Sequence, residues 1–571
     1  MSEISLINPN TYAISNYDIG QNIVNMFINQ NNQLEMAWGY EVVESDFFEK
    51  EILATLVTAS GEFLILVDIE GVLIARANGE HKFQKLGDKL LFAKARNPKY
   101  NNKQPYRPNK DKFSIVEGQY GIIYITDGSI GGLYLLIFNS GTETSLATTV
   151  FFRQIDWEKI GNNAPAEFVK PFDPTTQMLI HCLNPCYVSS LNPFIAIVDN
   201  RDKLSGVLDK GYMYVLTQID VEQDGIFTVP NYDKAQLTMP YVEQYDIIAC
   251  PVVNGMLYTV TSNTITPYQI SSSTLPVLPI INSKIEIGCQ FRNHLTVFNG
   301  KIILIASSDE KQYSLNVISG GSSNNKADRE FNDNGLSYIF KYDGVNITNL
   351  SLASFGTHSQ EFCVISGFTN STAVLVDITM DGRTSGFSYF LQDTNFDQFP
   401  IRNIFKFRDK VSQRDDYYFT SFDERDIFLF SDKVSSYVGN QIVCIVKTPQ
   451  FSTKKMTQHV VLQDLKVQLQ SDLSDVFSIR SEKRRGYELP VTNKNVRFKI
   501  ETNKFPPIGW YDGNWIEEIN SITNSKIVFG VIQSDFKVQI RLTFFPKVYT
   551  VDSTNIFSRV IIDQLSMEAL E

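Results

Sequence analysis

The sequence predicts an all-β protein built as a β-propeller of about six blades, with an additional antiparallel β-domain near the C-terminus. Three observations carry this. Short hairpins recur every few tens of residues along most of the chain, with irregular insertions between them, as in a propeller whose blades have diverged. Forty Phe and 26 Tyr bring the aromatic content to 12%, while long runs of helix-favouring Ala, Leu, Glu and Lys are missing. At 571 residues the chain exceeds one ordinary core and suffices for a large repetitive body plus a second domain.

The clearest hairpin is Asp246 to Ile270, DIIACPVVNGMLYTVTSNTITPYQI. Asn254-Gly255 stands between two apolar runs, and both residues tolerate the positive φ that a type I′ turn demands. Variants of this unit set the order of the chain. Residues 1–60 read as an Asn-rich N-terminal arm and first strand, with one apolar segment at Ile23–Ile28. Residues 61–451 read as the propeller body. It starts with GEFLILVDIEGVLIARANG from Gly61, turning at Glu70-Gly71, and continues with GIIYITDGSIGGLYLL from Gly121, turning at Asp127-Gly128. Apolar segments at Pro193–Val198 and Gly211–Val229 follow, then the Asp246 hairpin. Further units start at Gly300, Gly335, Glu361 and Asp415. A lone hairpin is marginal in water and an open sheet leaves its edges unpaired. Radial packing solves both problems, so the last blade must meet the first. A single large sandwich would need fewer hairpins and a more continuous alternation. Residues 452–571, with the alternating strand Gln458–Gln470 and later apolar runs, read as a C-terminal β-rich domain, appended or inserted near propeller closure.

Charge narrows the function classes. Fifty-one Lys and Arg stand against 63 Asp and Glu, a net charge of −12. That excludes coating of nucleic acid, which needs basic residues to neutralise phosphate, and is compatible with a wall past which DNA slides. The start MSEISLINPN shows no basic segment followed by an apolar run, and no stretch approaches the roughly 18 apolar residues of a membrane helix. A soluble protein made in a cytoplasm, without stable membrane insertion, is the expectation. The six cysteines, Cys182, Cys186, Cys250, Cys289, Cys363 and Cys444, lie mostly in apolar runs and read as reduced core residues.

Several constellations invite a chemical reading. His181-Cys182-Leu183-Asn184-Pro185-Cys186 has two potential zinc ligand types, yet no second Cys pair follows and the other histidines are scattered, so core or loop filling is favoured. The oxygen-rich stretch Asp328 to Gly335 lacks the alternating acids and terminal Glu of a calcium loop, and reads as solvated. Neither a metal nor an organic cofactor is expected. The sequence has no Gly-x-Ser-x-Gly, no phosphate-binding Gly-rich loop and no His-Glu-x-x-His. Choosing two of 63 acids as a glycosidase pair would be arbitrary, because the test is their separation in space. The chain is therefore expected not to be an enzyme.

Two surface candidates remain. Lys94 to Lys112, KARNPKYNNKQPYRPNKDK, sets Lys94, Arg96, Lys99, Lys103, Arg107, Lys110 and Lys112 against the single acid Asp111, with three prolines. Such a stretch belongs to an exposed loop, either merely solvated or in contact with DNA phosphate or a neighbouring subunit. Trp510, Tyr511 and Trp515 form the densest aromatic cluster. They suit contact with a partner or a glycan, against a plain hairpin with packing tryptophans around an Asp-Gly turn, which is favoured.

Read in order, several segments resemble the tail-hub or nozzle proteins of short-tailed bacteriophages, the packaged-DNA stabilisation family. They are NIVNMFINQ, FSIVEGQYGIIYITDG (Phe113 to Gly128), YDIIACPVVNGMLYTVTSNTITPYQI, IEIGCQFRNHLTVFNGKIILIAS (Ile285 to Ser307) and the stretch from Asp415 to Gln470. Their shared order and spacing over residues 20–470 carries the resemblance. The family's Trp in the hairpin strand is Tyr258 here, and residues after 471 match nothing in it. The resemblance implies a β-propeller subunit of the virion, assembling as a homo-oligomeric ring of six copies beside portal-adaptor or ring proteins and tail fibres. It implies a channel that retains packaged double-stranded DNA and conducts it during ejection, without catalytic residues. The alternatives are a carbohydrate-binding adhesion module centred on Trp510 and Trp515, and a glycan-cleaving propeller enzyme.

Overall fold

The computed structural model describes residues 2–5, 23–77, 81–101, 106–139, 150–161, 168–179, 184–199, 210–225, 227–271, 275–307, 313–319, 346–357, 359–368, 371–379, 388–393, 395–408, 415–421, 425–447 and 451–452, and the later strands within 460–570. Nearly every element is an antiparallel strand.

The strands group into seven sheets arranged as blades, where the sequence suggested about six. Blade 1 runs Ala54–Val57, Phe63–Val67, Gly71–Ala77 and Leu90–Leu91. Blade 2 runs Ser114–Glu117, Ile123–Thr126, Leu133–Phe138 and Val150–Gln154. Blade 3 holds Pro185–Leu191, Phe194–Asp199 and Gly211–Leu216, with Leu237–Thr238 and Tyr241–Glu243 outside. In blade 4 the Asn254-Gly255 turn has φ of 48° and 77°, closed by the pair Val253↔Met256 as the sequence predicts. Blades 5 and 6 start with Leu295–Phe298 and Ser351–Gly356. Blade 7 takes Arg402–Arg408, Asp415–Thr420 and Ile427–Ser431 from the C-terminal side and its fourth strand, Gly39–Glu44, from the N-terminal side. The ring is thereby closed by hydrogen bonds between distant parts of the chain.

Seven buried clusters fill the seven spaces between blades, and strand geometry explains how. Successive side chains of a strand point to opposite faces, so each strand feeds two clusters. Leu64 and Leu66 pack toward blade 7 and Ile65 toward blade 2. Ile195 and Ile197 pack toward blade 2, Ala196 and Val198 toward blade 4. Phe362 and Val364 pack toward blade 7, Cys363 and Ile365 toward blade 5. Both faces being buried, runs such as Phe63–Val67 and Lys301–Ser307 are almost continuously apolar. Each such side chain contributes roughly 1.5–3 kcal/mol. The seam between blades 7 and 1 is also aromatic, with Phe83 edge-on to Tyr418 at 5.1 Å.

The second strand of a blade ends in a buried polar residue that ties the next turn. Asp68 Oδ1 accepts from the N–H of Glu70 and of Gly71, at 2.8 and 2.9 Å. Asp127 Oδ1 accepts from the Ser129 N–H at 2.9 Å. In blade 4 Thr261 does the same for Thr264 at 2.9 Å. These are side-chain-capped turns, which is why Asp68, Asp127 and Thr261 stand where their strands end.

The N-terminal segment then joins the propeller to the C-terminal strands. Ile23–Val24 lies parallel to Ser388–Gln392 of blade 6 and antiparallel to Cys444–Lys447. Cys444–Lys447 pairs with Lys537–Pro546, and that strand with Val496–Lys504. Blade 6 is thus the beginning of a ten-stranded sheet. A second sheet of seven strands brings Met26–Ile28 and Leu34–Met36 together with Ile561–Leu570 and Val460–Leu469.

Asn25 sits at the junction, 3% exposed with φ of 58°. Its Nδ2 donates to Gln392 O at 3.1 Å and Val443 O at 2.9 Å. Its Oδ1 accepts from the Gln392 N–H at 2.8 Å and the Tyr437 hydroxyl at 3.2 Å. Among the described residues no helix is long and apolar enough to cross a membrane.

Candidate axial site

The seven innermost strands repeat one sense along the axis, since each blade follows the same antiparallel order. The residues just before them therefore crown one mouth of the propeller. Hydrogen bonds run from blade to blade around this crown. Asn403 Nδ2 donates to Ile52 O at 2.9 Å across the closure seam. Glu51 accepts from Arg402 Nη1 on one side and from Lys110 Nζ, at 3.1 Å, on the other. The Gly128 N–H donates to Pro185 O at 3.2 Å. Asn293 Nδ2 donates to Thr348 O at 3.2 Å, and Ser366 Oγ to Ile401 O at 2.8 Å.

One contact does not follow the circle. Arg292, just before blade 5, reaches past blade 4 to the inner strand of blade 3. Its Nη1 donates to Cys186 O at 3.4 Å and its guanidinium carbon lies 4.6 Å from the centre of the Tyr187 ring. This is a cation resting on an aromatic face. Next to it, His294 is fully buried and donates from Nε2 to Ile347 O at 2.8 Å. Burial pulls its pKa below the ordinary imidazole value, partly offset by that bond, so the ring is neutral.

Glu51 responds to its surroundings in the opposite way to an isolated buried acid. Burial pushes its pKa up, but the Arg402 charge and the hydrogen bonds from Lys110 and Arg402 outweigh it and hold the carboxyl below its usual value. Deeper in the blades, burial pushes Asp127 up against the bonds from Ser129 and Tyr134. The thiols of Cys250, Cys289 and Cys363 are pushed up to about 12 by burial. Cys186, Cys250, Cys289, Cys363 and Cys444 are all buried free thiols. Among the described residues no group of three or more His, Cys, Asp or Glu is placed to hold a metal ion.

The basic run of 94–112 is divided by the fold. Lys94 is exposed on the short helix Phe92–Ala95, which packs against the outer strand of blade 2. Arg96 stacks on Tyr106 at 4.8 Å, and Lys99 pairs with Glu158 at 2.5 Å. Arg107 is exposed. Among the described residues of the run, Lys110 and Lys112, in a 3-10 turn, arrive at the axial mouth. Lys103, Trp510 and Tyr511 lie outside the described residues, as do His181, Cys182 and the Asp328–Gly335 stretch. Trp515 belongs to a two-residue strand beside Val496–Lys504, opposite Lys499. Glu51, Arg292 and Arg402 were not singled out from the sequence. Their only local signal is the position before an apolar strand, and their meeting depends on ring closure.

No protein-family model matches the chain, and no curated protein matches it. Among solved structures it is similar to an exo-β-1,3-galactanase from Phanerochaete chrysosporium, at 8% identity and TM-score 0.24, over 94% of this chain and 100% of that one. It is also similar to a family 43 arabinoxylan arabinofuranohydrolase from Bacillus subtilis, at 10% identity and TM-score 0.21, covering 99% of both. A third is a Trichoderma reesei carbohydrate-active enzyme of family AA12, at 11% identity and TM-score 0.26, over 73% of this chain and 99% of that one. At these scores no substrate and no catalytic residue passes to this chain. They do correct one expectation. The sequence leads one to expect no enzymatic activity, whereas the similar structures are carbohydrate-active enzymes, so that negative is withdrawn. The physical reason is that motif searches test local spacing, whereas the acids of a propeller site converge from separate blades.

Proposed function

We propose that this chain is a building block of a phage tail, a nozzle or hub subunit whose copies assemble into a ring-shaped channel that retains packaged DNA and conducts it during ejection. The observation that carries the reading is where the resembling segments fall. NIVNMFINQ supplies the strand that ties blade 6 to the C-terminal sheet. Phe113 to Gly128 forms the inner half of blade 2, and Ile285 to Ser307 the crossing from blade 4 into blade 5. Asp415 to Gln470 runs from blade 7 into the strand Val460–Leu469. Geometry also favours several copies. Seven inner strands at the ~10 Å spacing of facing sheets close a circle roughly 20 Å across, into which inner-strand side chains project. A duplex whose major groove alone is about 12 Å wide needs a wider opening, formed between subunits. Electron microscopy and mass measurement of the purified chain test this, with a ring of six copies expected. A chain that stays monomeric alone and beside portal-adaptor proteins overturns it.

A second reading is a carbohydrate-binding adhesion module, and the similar solved structures are carbohydrate-active enzymes. A glycan array tests it, with binding lost in Trp515→Ala if the C-terminal strands carry the site. Absence of binding to any glycan, with an intact fold, removes this reading.

A further inference from the structure

We propose that the axial mouth is an oxyanion-binding site in which Arg292 is the principal ligand and Lys112 its neighbour. The inference stands on the crown alone and is independent of either reading above.

Three features point to it. Arg292 is half-buried at the mouth, and burial pulls its pKa down from the ordinary guanidinium value, although the group stays charged in a protein. It forms no ion pair among the described residues. Its contacts there are one long hydrogen bond to Cys186 O and the face of Tyr187. A guanidinium has five N–H donors in a rigid fork, so an edge remains whose geometry matches two oxygens of a phosphate or carboxylate. A partly buried cation with no carboxylate at ion-pair distance is costly, since the exposed Asp111 acts on it only from further off, and a bound anion lowers that cost.

The second cation is built in. The Lys112 side chain lies against Gly128, whose N–H bonds to Pro185 O, next to the carbonyl that Arg292 engages. Lys112 is half-buried and forms no ion pair among the described residues. The exposed Asp111 is the nearby acid that opposes an anion here. Tyr187, on the inner strand of blade 3, provides the platform and packs against the buried cluster between blades 3 and 4.

The test is a calorimetric titration of the full-length chain with inorganic phosphate at constant ionic strength, repeated with galacturonate as the carboxylate probe. Saturable binding of at least one probe is expected, lost in Arg292→Met and weakened in Arg292→Lys, which keeps the charge without the fork. Asp111→Asn should tighten it by roughly two- to fivefold, the scale of a screened charge pair. Unchanged melting transitions establish that the variants fold, and Arg292→Lys serves if Arg292→Met does not. Phosphate binding alone identifies the natural anion as a phosphate, galacturonate binding alone as a carboxylate. No saturable binding of either probe, or binding indifferent to Arg292→Lys and Asp111→Asn, overturns the proposal.

Discussion

Asn25 satisfies four groups from two distant parts of the chain while its backbone adopts a left-handed conformation. Replacing it by Ala leaves part-buried backbone groups of Gln392 and Val443 without their partner, at about 1 kcal/mol each, and adds about 1–2 kcal/mol for a left-handed Ala. Asn25→Ala should therefore lower stability by about 3 kcal/mol or more in denaturant titration, an unusually large effect for one small polar residue. At the mouth, the depressed pKa of Glu51 makes a pH prediction. Its folded value lies below the unfolded one, so its contribution is full above the ordinary Glu value near 4.3 and is lost as pH falls through the folded value. Glu51→Gln should cost about 1 kcal/mol at neutral pH, a modest figure because Lys110 is well exposed, and flatten the acid limb of the stability profile. The sequence did not single out either residue. Asn25 looked like an interruption in an apolar strand, and Glu51 like one of many surface acids.

At the scale of the element, turns were the legible part. Asn254-Gly255, Asp127-Gly128 and Glu70-Gly71 all turn where the sequence predicts, because their chemistry is local. The hairpin expected at Gly335–Leu350 lies outside the described residues apart from the turn Ile347–Asn349. The pair Gly288-Cys289, at the crossing from blade 4 into blade 5, is explained only by tertiary contact. A Cβ on Gly288 would lie 2.1 Å from Thr261 O, the carbonyl to which the Cys289 N–H bonds at 3.1 Å. Gly288→Ala must push the blade 4 turn away, and should lower the melting temperature by several degrees. Burial of five thiols inside the blades predicts a shared behaviour as well. Cys186, Cys250, Cys289, Cys363 and Cys444 should resist alkylation at pH 8 in the folded protein and react together on unfolding, which mass spectrometry resolves.

For the whole molecule, the decisive pairings join residues roughly 390 positions apart, such as Phe430↔Tyr40, and no periodicity in a sequence window reveals them. The requirement that the last blade meet the first followed from edge chemistry, but the strand that satisfies it did not. The count of seven became visible because blade 7 borrows its outer strand from the N-terminal arm. Removing residues 1–44 should leave the aromatic side of blade 7 and the edge of Ile427–Ser431 open, giving an aggregating protein instead of a smaller folded one.

Native-state hydrogen exchange over residues 39–44 tests closure most directly. If this strand locks the ring, its ladder amides exchange only with global unfolding, at the same free energy as those of Tyr417–Thr420. Exchange of Tyr40–Glu44 at the rate of a fraying terminus, while blade 7 stays protected, would contradict the closed ring.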